Sequence, residues 1–120
     1  MKIELKMDIP PSVNRIWRQG VGGKVYRSNQ YVDWQKKTLW EIKLQAKGKN
    51  IVGPYHIRVI VERRDKRKRD LDNFIKAIND VLTTSNIIED DHLCQSVYMA
   101  WGDSGTSCYV TLEAADGQAE

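Results

Sequence analysis

The sequence lacks a long apolar run, a cluster of cysteines and any low-complexity tract, and each absence removes a class of protein. No apolar run approaches the 18 or so residues that cross a bilayer, and the start, MKIELKMDIPPS, alternates where a signal peptide is continuously apolar. We therefore expect a cytoplasmic protein with no membrane partner. Because 120 residues with 41% hydrophobic and 29% charged composition suit one core, we expect a single domain over residues 1–120.

Motifs built on cysteine, histidine or glycine are also missing. Cys94 and Cys108 lie too far apart for a CxxC pair, and His56 and His92 have no partner at zinc-ligand spacing. The stretch GVGGK is not followed by the Lys-Ser/Thr helix start of a P-loop. We therefore expect no small-molecule cofactor, and the carboxylates become the candidate chemical groups.

The net positive charge is small overall but concentrated in one place. The net charge is only +3, yet Arg63 to Arg69, RRDKRKR, holds six cations and one Asp, a local charge of +5. Such a tract on a near-neutral body is typical of a polyanion-binding surface, although most short charge runs are simply solvated. The candidate residues for binding a polyanion such as a nucleic acid are Arg15, Arg18, Arg63, Arg64, Lys66, Arg67, Lys68, Arg69 and Lys76. Trp17, near Arg15 and Arg18, can stack on an unpaired base or pack in the core.

Apolar periodicity predicts four strands and two helices. Alternation predicts strands in residues 2–8, in YHIRVIVER, and in LCQSVYMAW and TSCYVTLE, which the turn GDSG would join as a hairpin. The stripe Val32, Gln35, Leu39, Ile42 and Ala46 predicts a first helix that stops at Gly48. The stripe Phe74, Ile75, Ile78, Val81 and Leu82 predicts a second helix that begins near Asp72. The order predicts an α+β domain, a four-stranded mixed sheet with two helices packed on one face.

Two carboxylates stand directly after the basic tract. In an extended segment Asp70 and Asp72 point to the same side, where they would repel each other unless a cation lies between them. Hard divalent ions such as Mg²⁺ prefer oxygen ligands of this kind, completed by phosphate and water. A metal ion would explain why acids stand where cations attract a phosphate backbone. Asp90 or Asp91, just before the third strand, would supply a third ligand if that strand's start lies beside Asp70.

Each acid also has a structural explanation. Asp72, Lys76 and Asp80 at i, i+4 and i+8 form an ordinary ion-pair ladder, Asp72 alone suits a helix cap, and EDD alone suits a solvated turn. Lys76 can instead stabilise charge that develops on the phosphate. Because acids lie on both sides of one helix beside six cations, a catalytic role becomes as good an explanation as the structural one.

The same residues carry a resemblance to the RusA-type Holliday junction resolvases. It rests on PPSVNRIWR from Pro10 to Arg18, on RRDKRKRDLDNFIKAINDVL with its paired acids, and on Asp90-Asp91. The chain departs from the family in SNII, where many members have a glycine. Asn86 there tolerates a left-handed backbone nearly as well.

The resemblance implies a Mg²⁺-dependent homodimer that cuts a four-way DNA junction symmetrically, with Mn²⁺ as an alternative ion. Asp70, Asp72 and Asp91 match the family's catalytic, metal-binding acids, and Lys76 matches its catalytic lysine, whereas Asp90 is a neighbour and Asn73 a signature position. Two other functions fit the basic tract: a non-catalytic module that binds branched nucleic acid, and a nuclease for flaps or plain duplex.

Overall fold

The structure is a computed structural model that describes residues 2–11, 17–19, 25–27, 29–62, 72–103 and 107–115. A small antiparallel pair, β2 with β3, accompanies a larger sheet and two helices. In chain order the elements are β1 (Lys2–Met7), β2 (Trp17–Gln19), β3 (Val25–Arg27), α1 (Asn29–Ala46), β4 (Tyr55–Val61), α2 (Asp72–Thr84), a 3-10 helix (Asp91–Leu93), β5 (Cys94–Trp101) and β6 (Cys108–Ala114). No helix in these ranges is long and apolar enough to span a bilayer.

The larger sheet has four strands in the order β1-β6-β4-β5. β6 pairs antiparallel with β1 and with β4, whereas β4 and β5 are parallel. This mixed sheet confirms the predicted architecture. The parallel pair follows from the connection, because two neighbouring parallel strands need a crossover, and α2 lies between them in sequence.

The predicted C-terminal hairpin is wrong. β5 and β6 are not neighbours, since β4 lies between them. The burial of the two strands gives the physical reason: Cys108, Val110 and Leu112 of β6 are fully buried, which suits a central strand, whereas Val97 and Tyr98 of β5 are half exposed, which suits an edge. Gly102 after β5 and Ser107 before β6 each bond the backbone at the end of β4, with Val61 and Glu62 as their partners.

One face of the sheet forms the core. Alternate side chains of β1, β4 and β6 are buried there, and the strand registers align them across the sheet. The predicted stripe of α2 packs on this face, with Phe74, Ile78, Val81 and Leu82 buried and Ile75 partly buried. Period-two and period-3.6 patterns thus meet in one apolar layer.

The stripe of α1 is rotated from the one predicted. Its buried side chains are Tyr31, Trp34, Thr38, Ile42 and Ala46. The predicted Val32, Gln35 and Leu39 are only partly buried. Two aromatic residues, Tyr31 and Trp34, are buried in the first half of the helix, and their ring centroids are 5.9 Å apart. The Trp34 indole N–H donates to the Asp8 carbonyl at 3.0 Å.

Two predicted chain reversals are confirmed by left-handed backbone. α1 ends at Ala46 and is followed by Lys47 at φ 52° and Gly48 at φ 83°. After α2, Asn86 adopts φ 64° at the position where the sequence departs from the family pattern. Asparagine accepts this conformation at low cost, so the turn before the acidic segment needs no glycine.

Candidate functional site

α2 separates the two groups of candidate acids along the chain. The helix begins at Asp72, as predicted, and follows the carboxyl end of β4. It runs to Thr84, so at 1.5 Å per residue its ends are about 18 Å apart. The predicted basic tract and Asp70 fall in residues 63–70, which together with Arg15 lie outside the described residues. The backbones of Arg18 and Asp72 lie in β2 and α2, but the structure does not describe their side chains.

Asp90 is held in place by its own backbone turn. It caps the short 3-10 helix, and its Oδ1 accepts the His92 backbone N–H at 3.1 Å. The same oxygen lies 3.0 Å from Nδ1 of the His92 ring. The pKa of the Asp90 carboxyl is therefore lowered to about 2, mainly by the His92 backbone N–H, then by the His92 ring and Asp91. Asp90 is exposed and ionised at neutral pH.

Asp91 is the first residue of the 3-10 helix and is also exposed. It lies close to the amino end of β4, because the parallel register sets Cys94 opposite Tyr55. The pKa of the Tyr55 hydroxyl is raised above its ordinary value, chiefly by burial and then by Cys94, Asp91 and Asp90. Asp90 and Asp91 therefore both lie near Tyr55, at the corner of the sheet that the amino ends of β4 and β5 form.

This corner is braced by buried and backbone hydrogen bonds. The Tyr55 hydroxyl donates to Asn79 Oδ1 at 2.9 Å, which ties the start of β4 to the second half of α2. Both residues are buried, at 0% and 8% exposure. The Gly53 N–H donates to Glu89 Oε1 at 2.7 Å, and the Ile51 N–H to the Ile87 carbonyl at 2.8 Å. Glu89, the first acid of EDD, thus holds the loop before β4.

The structure brings Asp90 and Asp91 together, but it leaves Asp91 away from Asp72 of the same chain. The sequence argument required the start of β5 to lie beside Asp70, at the carboxyl end of β4. β5 does neighbour β4, yet the two strands are parallel, so the start of β5 lies at the amino end of β4 instead. The parallel register places Asp91 at the end of β4 opposite to the end that leads to Asp70. Because Asp70 lies outside the described residues, the convergence of Asp70, Asp72 and Asp91 stays a prediction.

Lys76 lies one turn into α2 and is exposed. Asp80, the next member of the predicted ladder, is half buried. The exposed ammonium group can reach a polyanion on the surface, and the ion-pair ladder with Asp72 stays an alternative, because the Asp72 side chain is outside the described set.

The Tyr55–Asn79 pair is the part of this corner that the sequence argument missed. Tyr55 fits the apolar alternation of its strand, and Asn79 stands on the buried face of α2 between Ala77, Ile78 and Val81. A polar residue inside an apolar stripe was the available signal, since buried polar groups are almost always paired. The spacing of 24 residues gave no indication of the partner.

The described residues of one chain hold no group of three His, Cys, Asp or Glu side chains that could bind a metal ion. Asp90 and Asp91 offer exposed carboxylate oxygens, which are the ligands that Mg²⁺ prefers. The donor type therefore fits a hard divalent ion, whereas of the three consecutive acids Asp90 is committed to His92 and Glu89 to the Gly53 N–H.

Comparisons with known proteins cover nearly the whole chain. The family described as Endodeoxyribonuclease RusA matches residues 8–113. The chain is 32% identical over 93 residues to Crossover junction endodeoxyribonuclease RusA of Aquifex aeolicus (strain VF5), covering 78% of this chain and 72% of the relative. It is 34% identical over 85 residues to Crossover junction endodeoxyribonuclease rusA of Enterobacteria phage HK97, covering 68% of each. The family match spans every candidate acid and the basic tract.

Proposed function

Because the chain belongs to the RusA family of endodeoxyribonucleases, we propose that it resolves four-way DNA junctions as a Mg²⁺-dependent homodimer. The family match over residues 8–113 is the observation that carries this proposal. The named activity of both relatives, cleavage of crossover junctions, supports the substrate. The function is phosphodiester hydrolysis in branched DNA by an endodeoxyribonuclease.

Asp70, Asp72 and Asp91 are the proposed metal ligands. Carboxylate oxygens suit Mg²⁺, or Mn²⁺ as the alternative ion, and the resemblance assigns this role to the same three positions. When bound, the ion would polarise the phosphate and lower the pKa of a water molecule. Asp90 stays a neighbour rather than a ligand, because its Oδ1 is already engaged by the His92 N–H and ring.

We propose that a second copy of the chain supplies the acid that completes each pocket. In one chain Asp72 begins α2, whereas Asp91 follows α2 and lies at the amino end of the parallel pair β4 and β5. Where equivalent elements run antiparallel across a two-fold axis, the opposite ends of these elements lie beside each other. We therefore assign each pocket Asp70 and Asp72 from one chain and Asp91 from the other.

The proposed roles of the other residues are to position Asp91, to stabilise charge on the phosphate and to bind the DNA backbone. The braced corner of Tyr55 and Asn79 would keep Asp91 in a fixed position, which favours catalysis because a displaced ligand costs rate. The exposed ammonium group of Lys76 would stabilise charge that develops on the phosphate or leaving oxygen. The tract from Arg63 to Arg69, with a local charge of +5, would hold the phosphate backbones of the junction arms.

Cleavage of a synthetic four-way junction by the purified protein, with and without Mg²⁺, tests this function. We expect paired nicks at symmetric positions only when Mg²⁺ is present. Asp70→Asn should abolish cleavage while junction binding stays at least as tight, because a negative charge near the phosphate is removed. Asp33→Asn is the matched control, since Asp33 is an exposed acid on α1 and its change should leave cleavage intact.

The two rival functions predict different results in the same assay. A binding module would hold the junction with or without Mg²⁺ and never cut it. A nuclease for flaps or duplex would cut those substrates faster than the four-way junction in a panel of equal length and sequence. Either outcome would overturn the proposal, and equal cleavage by wild type and Asp70→Asn would remove Asp70 from the site.

A further inference from the structure

β5 is an edge strand of the larger sheet, and its composition is uncharged. Within the described ranges it pairs with β4 on one side only, and no described strand lies on the other. Its eight residues, CQSVYMAW, contain neither a charged side chain nor a proline. Val97 and Tyr98 at its centre are 50% and 53% exposed. An exposed, uncharged edge of this length invites pairing with another strand.

The opposite edge of the same sheet is protected in the ways that β5 is not. β1 carries Lys2, Glu4 and Lys6, and Pro10 and Pro11 follow it. Charges and nearby prolines discourage a further strand from adding to an edge.

The side chain of Gln45 also covers part of the β1 edge. It accepts the Lys6 N–H and donates to the Lys6 carbonyl, both at 2.7 Å. One edge of the sheet is therefore blocked by charge and by a side chain, whereas no described strand pairs with the outer edge of β5.

The outward backbone groups of β5 can be identified from one hydrogen bond. The Gly102 N–H donates to the Val61 carbonyl at 3.0 Å, so the backbone of Gly102 faces β4. Backbone groups alternate sides along a strand. The N–H and C=O groups of Val97 and Met99 therefore point away from β4, toward the edge on which no described strand lies.

We propose that β5 pairs antiparallel with β5 of a second copy, joining two four-stranded sheets into one of eight strands. This inference rests on the proposed homodimer and assigns its interface. A two-fold interface sets each residue near its own copy, so any charge on the strand would meet a like charge. A strand with no charged residue is suited to pairing with itself, which favours a second copy over an unrelated partner.

The same pairing accounts for the division of the acids. Antiparallel β5 strands set the amino end of one, which follows Asp91, beside the carboxyl end of the other. The partner's β4 ends next to that point, and the partner's α2, which starts at Asp72, follows it. The pairing thus brings Asp91 of one chain toward the segment of Asp70 and Asp72 of the other.

Two proline variants test the interface without relying on nuclease activity. Val97→Pro removes an outward N–H that β4 does not use, a place where an edge strand tolerates proline. Glu4→Pro is the matched control: the Lys6 backbone faces outward to Gln45, so Glu4, two residues earlier, also faces outward on β1. We expect wild type and Glu4→Pro to sediment at twice the 13.9 kDa chain mass, and folded Val97→Pro at the single mass.

A dimeric Val97→Pro, or a wild type that stays monomeric at high concentration, would overturn the interface. A dimeric Val97→Pro would refute the interface alone, whereas a monomeric wild type would refute the proposed homodimer as well. Junction cleavage by the wild type is measured separately, so the two failures are distinguishable. If Val97→Pro does not fold, amide hydrogen exchange of the wild type decides. The Val97 and Met99 amides should then exchange at least about tenfold slower than the outward Glu4 amide, and equal rates would refute the pairing.

Discussion

The hydrogen bond between Tyr55 and Asn79 offers a quantitative test of what stabilises the corner of the sheet near Asp90 and Asp91. Tyr55→Phe removes a hydroxyl that donates to Asn79 Oδ1 at 2.9 Å and changes nothing else in the ring. Because Asn79 is only 8% exposed, its oxygen would be left without a donor and with little access to water. The cost of stranding such an acceptor is about 1–3 kcal/mol.

Urea unfolding followed by circular dichroism measures this cost, at one fixed protein concentration because the proposed dimerisation would couple stability to concentration. A double-mutant cycle with Asn79→Ala should give a coupling free energy of about 1 kcal/mol. Tyr109→Phe is the control: its hydroxyl bonds Glu4 at the surface, so its loss should destabilise the protein clearly less than Tyr55→Phe does. Equal losses for the two Tyr→Phe variants, or zero coupling, would refute the buried bond.

Two further predictions concern charge. The Asp90 carboxyl should titrate near pH 2 by NMR, and largely keep that depression in His92→Ala, since the His92 backbone N–H is its largest cause. A pKa depressed in the folded state stabilises the protein above the unfolded value of about 3.9, and this contribution is lost as pH falls toward 2. A return of the Asp90 pKa to about 3.9 in His92→Ala would contradict the backbone bond. For junction binding, six cations that each neutralise one phosphate predict a slope of about −5 in log affinity against log salt, and a slope near zero would remove residues 63–69 from the interface.

Local pattern predicted the elements of this fold but not which strands are neighbours. The alternation of YHIRVIV and the stripe of α2 depend only on side chains facing one apolar layer, and both are found in the structure. The turn GDSG suggested a hairpin, yet β6 pairs with β1 and β4. Strand order is decided by burial across the whole sheet, which the sequence of a single turn does not contain.

The candidate site was predictable to the same limited extent. Asp90 and Asp91 are adjacent in sequence, so their proximity required no knowledge of the fold. The meeting of Asp91 with Asp72 depended on strand direction, and the parallel register of β4 and β5 is the reason that we propose a contact between chains where the sequence suggested one within a chain. The Tyr55–Asn79 brace was hidden because a tyrosine in an alternating strand is indistinguishable from an apolar residue.

Mixing two inactive variants tests the shared pocket most directly. Asp72→Asn and Asp91→Asn homodimers should each fail to nick a four-way junction, because every pocket lacks one acid. Co-refolded mixtures, in which native mass spectrometry detects heterodimers, should regain nicking: one pocket then holds Asp72 from one chain and Asp91 from the other. Mixtures that contain heterodimers yet stay as inactive as their parents would contradict a pocket shared between two chains.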